Sequence, residues 1–399
     1  WLITSHGAVL HDSGGYGMLG FGQNHPKLIN ALNQKQVIAN IMTASFSQKK
    51  LLDALNKEIG SNRGKRSAPY EFLFLNSGSE GVTLASRLSD LNAFNQTQAG
   101  AKHAGKTCRF LSLKGSFHGR TDRPAQVSDS CQLIYKSSLM SFQDRKNLVT
   151  VKPNDTDALE KAFVDAEKEG VFIEAMFMEP VLSEGEPGLS ITPEFYKKAR
   201  ELTAKYDGLL IIDSVQAGFR ASGYLSIIDN PEFKHLPVPD IEVFSKAING
   251  GQYPLSVIGI NQNVRETFKV GLYGNTMTAN PRALDVGTAV LNAMDDSIRS
   301  NIVAKGKEVI VKLEKLAKKY PDLVEKAQGT GLLFCLAIKE DKAKVVGRQG
   351  LEAQLRRNGI GVIHGGKNAL RFTPHFEITS EEIDLVIGEV DKVLSAIVA

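Results

Sequence analysis

Two side chains far apart in the sequence carry the first hint of chemistry. Leu209-Leu-Ile-Ile-Asp213 is a short apolar run ending in a carboxylate. That is the pattern of a buried parallel strand delivering Asp213 to its carboxyl end, where ligands of open α/β sheets collect. Lys246 follows a second apolar pair, Val243-Phe244, and precedes a Gly-rich turn, Gly250-Gly251. A lysine and a buried aspartate beyond two strand ends suit Schiff-base chemistry with pyridoxal phosphate. The lysine would hold the aldehyde, and the aspartate would keep the pyridine nitrogen protonated so that the ring accepts electrons. Each residue alone has a plainer explanation, a helix cap for the aspartate and a solvated amine for the lysine. The surrounding elements must decide.

Those elements alternate. Glu71-Phe-Leu-Phe-Leu75 reads as a strand, and Asn76-Ser-Gly-Ser-Glu80 opens a helical run from Gly81. Strand, small-polar turn and helix make an anion-binding arrangement, with the N–H groups of Gly78 and Ser79 in the first turn; a plain Ser N-cap explains the pattern equally well. Cys108 to Leu113 is the next strand, followed by Lys114-Gly-Ser-Phe-His-Gly-Arg-Thr121, whose aromatic residues and arginine could form a stacking platform and a carboxylate clamp. An amphipathic helix over 156–168, a strand over 172–178, the acidic Pro/Gly loop 179–187 and a helix over 192–205 lead into the Asp213 strand. Ser256 to Ile260 is one more strand, and a long helix spans about 282–294. The expected fold is α/β, with a mostly parallel, doubly wound sheet. From about Asp296 charged amphipathic helices surround the apolar runs 331–338 and 369–373, which predicts a smaller α+β domain. The expected division is an N-terminal segment, 1–45, a large domain, 46–295, and a small domain, 296–399.

Composition excludes several classes. The 399 residues, 42% hydrophobic and 23% charged, suit a globular protein with a sizeable core. A formal net charge of +4 over that length argues against nucleic acid or a membrane surface. No apolar run reaches transmembrane length. Cys108, Cys131 and Cys335 are too few and too scattered for a disulfide framework or a CxxC metal site. They suit a reducing compartment, and a cytoplasmic location is expected. The chain opens on Trp1 rather than methionine, leaving room for a native leader, so organelle targeting is not decided by these residues. The eight histidines are dispersed, with no HExxH, and no metal site is expected.

Two Gly-rich stretches imitate nucleotide motifs. Gly15, Gly17 and Gly20 spell GxGxxG, but no hydrophobic strand precedes them and Gln23-Asn-His-Pro26 interrupts before the next helix. This is an irregular loop whose useful side chain is Tyr16. Gly60-Ser-Asn-Arg-Gly-Lys-Arg-Ser67 is one residue short of a Walker A loop and has Arg66 where Ser or Thr should follow the lysine; it reads as a basic surface turn.

Taken together, the landmarks resemble the class III (ornithine/4-aminobutyrate-type) aminotransferases of pyridoxal-phosphate fold type I, over essentially the whole chain. They appear in the family's order: Gly14-Gly-Tyr-Gly with Asn24-His-Pro, Asn76-Ser-Gly-Ser-Glu, Phe117-His-Gly-Arg-Thr, Glu179-Pro-Val, Ile212-Asp-Ser-Val-Gln-Ala-Gly, Ser245-Lys with Gly250-Gly and Tyr253-Pro, Asn275-Thr with Asn280-Pro, and Leu370-Arg-Phe. The resemblance implies Lys246 as the Schiff-base lysine and Asp213 as the pyridinium partner. It implies Gln216 near the ring's phenolic oxygen, Phe117 on the ring face, and Gly78 and Ser79 around the phosphate. His118 falls beside them as a loop or supporting histidine of the cofactor site. Thr276 matches a threonine that reaches the phosphate from the facing subunit, which implies a homodimer with composite active sites. Arg120 and Tyr16 match positions holding a substrate carboxylate. Arg371 matches the arginine for the α-carboxylate of a 2-oxo acid, with Glu184, or by a slip Glu186, as the carboxylate that pairs with it when unused.

The implied activity is transfer of an amino group, an ω-amino group in most of the family, to a 2-oxo acid in two half-reactions. Three departures bear on it. Ser214 replaces the family's usual Glu after the aspartate, removing a charge beside the cofactor. Val181-Leu-Ser183 replaces a small-polar run, and Phe219-Arg-Ala-Ser222 departs from Gly-Arg-Thr. Lys246 and Asp213 would serve a racemase or epimerase, an aminomutase or a decarboxylase equally, and a requirement for a 2-oxo acid separates these from a transaminase. A catalytically silent relative on the same fold is the rival from another class, opposed by retention of the lysine, the aspartate and the phosphate loop together.

Overall fold

The computed structural model describes residues 1–36, 43–64 and 67–398. Its centre is a seven-stranded sheet: β1 (Glu71–Leu75), β2 (Thr107–Leu113), β3 (Leu148–Val151), β4 (Val171–Met178), β5 (Leu209–Asp213), β6 (Ile241–Phe244) and β7 (Ser256–Ile260). The spatial order is β1-β7-β6-β5-β4-β2-β3. All neighbours are parallel except where β7 runs against both β1 and β6. The sheet is thus mostly parallel, as the alternation of strands and helices predicts. The edge strand β3 has only four residues, of which Val151 alone is buried, too weak a pattern to stand out in the sequence.

The central strands are apolar almost throughout because both faces are covered. In β5, Leu210 and Ile212 join one core cluster while Ile211 joins the other, on the side of helix Gly78–Thr97. Shortening one of these side chains to alanine typically costs about 2–5 kcal/mol through lost burial and the cavity left behind. Because all parallel strands run the same way, β2, β4, β5 and β6 end along one edge, and their loops meet there.

A second, antiparallel sheet follows: β8 (Val324–Thr330), β9 (Leu333–Ile338), β10 (Ile363–Gly365) and β11 (Ala369–Phe372), in the order β8-β9-β11-β10. The 24-residue helix Asp296–Lys319 packs on β8 and β9, and the terminal helix Ser380–Val398 packs on that helix. The two ends of the chain meet in a small third sheet, where the strand Val9–Asp12 runs parallel to Ile360–Gly361. Strand β8 is hard to read from sequence. Its residues, Val-Glu-Lys-Ala-Gln-Gly-Thr, are mostly polar, and only Val324 is buried.

The glycine loop 14–17 is a tight strap, not a phosphate cradle. A Cβ on Gly14 would come within 2.8 Å of the Val362 backbone, and Tyr16 and Gly17 both have positive φ. At Gly60, the candidate basic turn has its N–H groups engaged by the carboxylate of Asp229, 2.7 Å from Gly60 N and 2.9 Å from Asn62 N. Lys65 and Arg66 of that turn lie outside the described residues. Among the described residues, no helix is long and apolar enough to cross a membrane.

Candidate active site

The strand ends converge on a cavity of about 170 Å³ lined by residues that include Gly78, Ser79, Phe117, His118, Asp213, Gln216 and Lys246. The ends of β2, β4, β5 and β6 supply Phe117 with His118, Glu179, Asp213 and Lys246 respectively; β1 and its turn supply Gly78 and Ser79. Residues that follow adjacent parallel strands therefore become neighbours in the site, as expected at this edge.

The floor is an acid–histidine array. His118 Nδ1 lies 2.9 Å from Asp213 Oδ2, and Asp213 Oδ1 accepts the Val215 N–H at 3.1 Å. His118 is held by its own backbone, whose N–H donates to Ser128 Oγ at 2.8 Å. Its Nε2 is buried without a hydrogen-bond partner. Glu179, immediately after β4, accepts from the N–H groups of Phe117 (2.8 Å) and Ser183 (3.1 Å). Burial pushes its carboxyl up to about 7, and the nearby Asp213 adds to that. In the sequence Glu179 belongs to a matching motif but has no role assigned to it. The signal that finds it is the one that finds Asp213, an acid directly following an apolar strand.

Lys246 stands at the wall, in the left-handed region with φ +48°. A non-glycine residue there carries a strain of roughly 1–3 kcal/mol and persists only where its surroundings enforce it. Ser245 Oγ donates to the Leu255 carbonyl at 2.7 Å, fixing the residue before it, and Gly250 closes the following short helix. Removal from water pushes the Lys246 amine down to about 8; the positive charge of Arg371 acts the same way, against Asp213, Glu179 and Glu184. An amine poised near that value can be neutral at working pH.

Opposite, Gly78 opens a 20-residue helix capped by Ser77, whose side chain accepts the Glu80 N–H. First-turn N–H groups have no partner within a helix and attract anions. A Cβ on Gly78 would stand 3.0 Å from both Val215 methyls, so the close approach favours glycine. Gln216 donates to the Tyr16 carbonyl at 3.0 Å, while its Oε1 is buried and unpartnered.

The substrate-side candidates are less gathered. Arg371, on β11, is 2% exposed and sits 3.3 Å from Glu184 Oε2, with its Nη1 also donating to the Ser183 carbonyl. Glu186 pairs instead with Lys326, away from Arg371. The guanidinium of Arg371 lies 5.6 Å from the centre of the Tyr16 ring, and that of Arg120 lies 5.4 Å from the centre of the Phe117 ring. Arg120, Tyr16 and Thr276 are exposed, and none lines the cavity. Near Thr276, Asn275 donates to Glu80 at 2.7 Å, which tethers its loop to the helix that opens at Gly78.

Two of the sequence departures have physical counterparts. Ser214 does not leave its neighbourhood without a carboxyl group: its Oγ donates at 2.6 Å to Glu242, on β6. Glu242 is wholly buried, accepts further from Tyr70, Ser226 and the Ile227 N–H, and is pushed up to about 7 by burial. The carboxyl group missing at 214 is present on the adjacent strand. Arg220, fully buried, reaches the carbonyls of Gly17, Leu332 and Pro374 and so fastens the Tyr16 strap to the second sheet. A single arginine in a departing motif gives no sign of this role.

These residues fit a flat, phosphorylated pyridine aldehyde. A helix N-terminus faces its anionic end, an acid lies where a ring nitrogen would be met, and two buried polar atoms, Gln216 Oε1 and His118 Nε2, lack partners in the protein. The amine of Lys246 completes the set.

Comparison with known proteins shows the family. The family model described as aminotransferase class-III matches residues 2–394. The acetylornithine aminotransferase of Caldanaerobacter subterraneus is 30% identical over 99% of this chain and 95% of its own length. The mitochondrial ornithine aminotransferase of Arabidopsis thaliana is 27% identical over 92% of this chain and 73% of its own. The crystal structure of the Toxoplasma gondii ornithine aminotransferase, 22% identical, superposes with a TM-score of 0.80 over 98% of this chain and 87% of that one.

Proposed function

This chain belongs to the class III aminotransferases, enzymes that use pyridoxal phosphate, and from that premise we propose that it moves the ω-amino group of an amino acid or related amine to a 2-oxo acid. Bound in the cavity, the cofactor supplies a carbonyl that takes up an amine and a ring that spreads the charge left when a substrate carbon loses its proton. The residues of the chain do the rest. Asp213, steadied by His118, holds a proton at the ring nitrogen. The first-turn N–H groups of Gly78 and Ser79 would bind the phosphate, Phe117 would lie against the ring, and Gln216 would offer its amide to the ring's oxygen. Lys246 anchors the cofactor and, once released, carries a proton to and from the reacting carbon.

The observation that carries the ω-amino reading is the pair Arg371–Glu184, 3.3 Å apart at the edge of the site. A 2-oxo acid needs Arg371 free to clamp its carboxylate. A donor presenting an amine remote from its carboxylate needs that charge neutralised, and Glu184 would do so. Arg120 and Tyr16 would then take the donor's distal carboxylate. In the same proposal Thr276 reaches the phosphate of a facing subunit, so that the working unit is a homodimer with composite sites. The scattered cysteines suit a cytoplasmic setting.

A panel of ω-amino acids, diamines and α-amino acids, each offered with 2-oxoglutarate or pyruvate, tests the reading through the cofactor's absorbance. Turnover of ω-amino donors with an obligatory 2-oxo acid is expected. Turnover confined to α-amino acids, or without any 2-oxo acid, would overturn it.

A further inference from the structure

Among the described residues, one cluster of metal-ligating side chains lies outside the catalytic cavity. His11, His375 and Glu382 bring one ligand atom each to within 4.8 Å of one another. We propose that these three residues form a site for a divalent first-row transition cation, best matched by Zn²⁺, at the seam where the two ends of the chain meet. Nothing in the amino-group chemistry uses them. No local spacing rule could find them, because His11 comes from the N-terminal strand, His375 from just beyond β11 and Glu382 from the first turn of the terminal helix.

The spacing is close to that of a tetrahedral ion's ligands, with the Glu382 carboxylate between the two rings, one oxygen toward each and the His375 ring hydrogen-bonded to it while no ion is there. Zinc bonds of about 2.0–2.2 Å at tetrahedral angles put neighbouring ligand atoms about 3.3–3.6 Å apart. His11 Nε2 stands 3.5 Å from one oxygen of Glu382, and His375 Nε2 stands 3.2 Å from the other. Two imidazole nitrogens with one carboxylate match zinc and its neighbours, whereas calcium and magnesium prefer oxygen shells. Three protein ligands leave the fourth position to water. Side-chain exposure is 1% for His11, 26% for His375 and 17% for Glu382, so the outer two residues provide the path of entry.

The groups around the ligands are those that orient a metal site. His11 Nδ1 lies 2.9 Å from Ser13 Oγ, a hydroxyl able to donate or accept. It can therefore accept a hydrogen bond from Nδ1–H in the tautomer whose Nε2 turns its lone pair to an ion. Glu382 accepts from the Trp1 indole N–H (3.2 Å) and the Thr379 N–H (3.0 Å), which fix the carboxylate between the two rings.

The position gives the ion a mechanical role. Two residues beyond His11, the Ser13 carbonyl accepts the Thr373 N–H at 2.7 Å, and the Gly17 N–H donates to Thr373 Oγ1 at 3.1 Å. Thr373 lies midway between Arg371 and His375. An ion joining His11 to His375 and Glu382 would staple the strap that carries Tyr16 to the strand that carries Arg371 and to the terminal helix.

The test is equilibrium dialysis of the holoenzyme against micromolar Zn²⁺ at about pH 7.5, followed by metal analysis and a thermal melt. About one zinc per chain is expected, with a midpoint raised by a few degrees. The variants Glu382→Gln and His375→Asn should lose both effects while keeping basal turnover. No bound zinc in the wild type, or stoichiometric zinc that survives both substitutions, would overturn the proposal. A reading independent of any variant comes from Co²⁺: the intense visible bands of a four-coordinate ion are expected, and only the weak bands of an octahedral hydrated ion would refute it.

Discussion

Asp213, His118 and Glu179 on the floor of the cavity are between 2% and 4% exposed, whereas Tyr16 at its edge is 49% exposed and Arg120, over the Phe117 ring, faces solvent. Floor groups are fixed by backbone donors at the strand ends, from a neighbouring strand in Phe117 N–H to Glu179 and from the same strand's turn in Val215 N–H to Asp213. Most edge groups come from an irregular strap and from loops; they gather on Arg371, the buried exception on strand β11, through rings and charges, as Tyr16 and Glu184 do. Rigid elements make precise sites, and loops make adjustable ones. On the proposed reading the difference separates two tasks: the floor would set the reaction that can be done, and the edge would select the molecules that undergo it.

The largest effect should come from the floor. On the proposed assignment Lys246→Ala removes both the anchoring amine and the mobile proton carrier, and turnover should fall by about 10⁴-fold or more. The variant should also lose the absorbance of covalently held cofactor while still binding it through the phosphate loop and Asp213. Steady-state assays and a spectrum of the purified variant check both parts. Undiminished turnover would erase the division of labour between floor and edge, because the floor would then not control the chemistry.

The same division explains what the sequence reveals. Asp213, Lys246, Gly78 and Phe117 are legible because each follows a strand whose pattern is strong, and sheet geometry then brings strand ends together. The regular elements 156–168 and 256–260 are read to their end residues for the same reason. Glu242 is illegible: an acid inside a buried strand looks like an error of assignment until four donors from Tyr70, Ser214, Ser226 and Ile227 are seen around it. Arg220 and the cluster His11–His375–Glu382 are hidden because their partners are distant in sequence and no periodicity relates them. At the edge, Arg371 and Glu184 are named through family resemblance, and their proximity emerges only from the fold.

A second, smaller effect concerns pH and again isolates the floor. With its amine lowered to about 8, Lys246 is mostly neutral above that pH and mostly charged below it. Attack on an aldehyde needs the neutral form. Uptake of pyridoxal phosphate by the cofactor-free enzyme should therefore speed up about tenfold per pH unit below about 8 and level off above it. An ordinary lysine would keep climbing toward about pH 10. Rapid mixing with absorbance detection across roughly pH 6–10 checks this. A rate still rising steeply at about pH 9.5 would mean that burial and Arg371 do not depress the amine, and the floor would lose its main claim to being prepared in advance.

The smallest effect belongs to the edge. Glu184→Gln keeps the shape of the side chain but removes its charge from beside Arg371. The pair is 23% exposed on the glutamate side, so its strength is modest, on the order of 1 kcal/mol, or about fivefold in an equilibrium. Freed of competition, Arg371 should bind the 2-oxo acid more tightly, lowering that KM by about fivefold. An ω-amino donor then meets an unneutralised charge, and its KM should rise by a similar factor, while the maximal rate of the acid half-reaction changes little. Measuring the two half-reactions separately distinguishes these shifts. If both KM values move in the same direction, Glu184 acts as a general support of the wall. If they move apart, one carboxylate 3.3 Å from one arginine is enough to let a single edge accept two kinds of substrate over an unchanged floor.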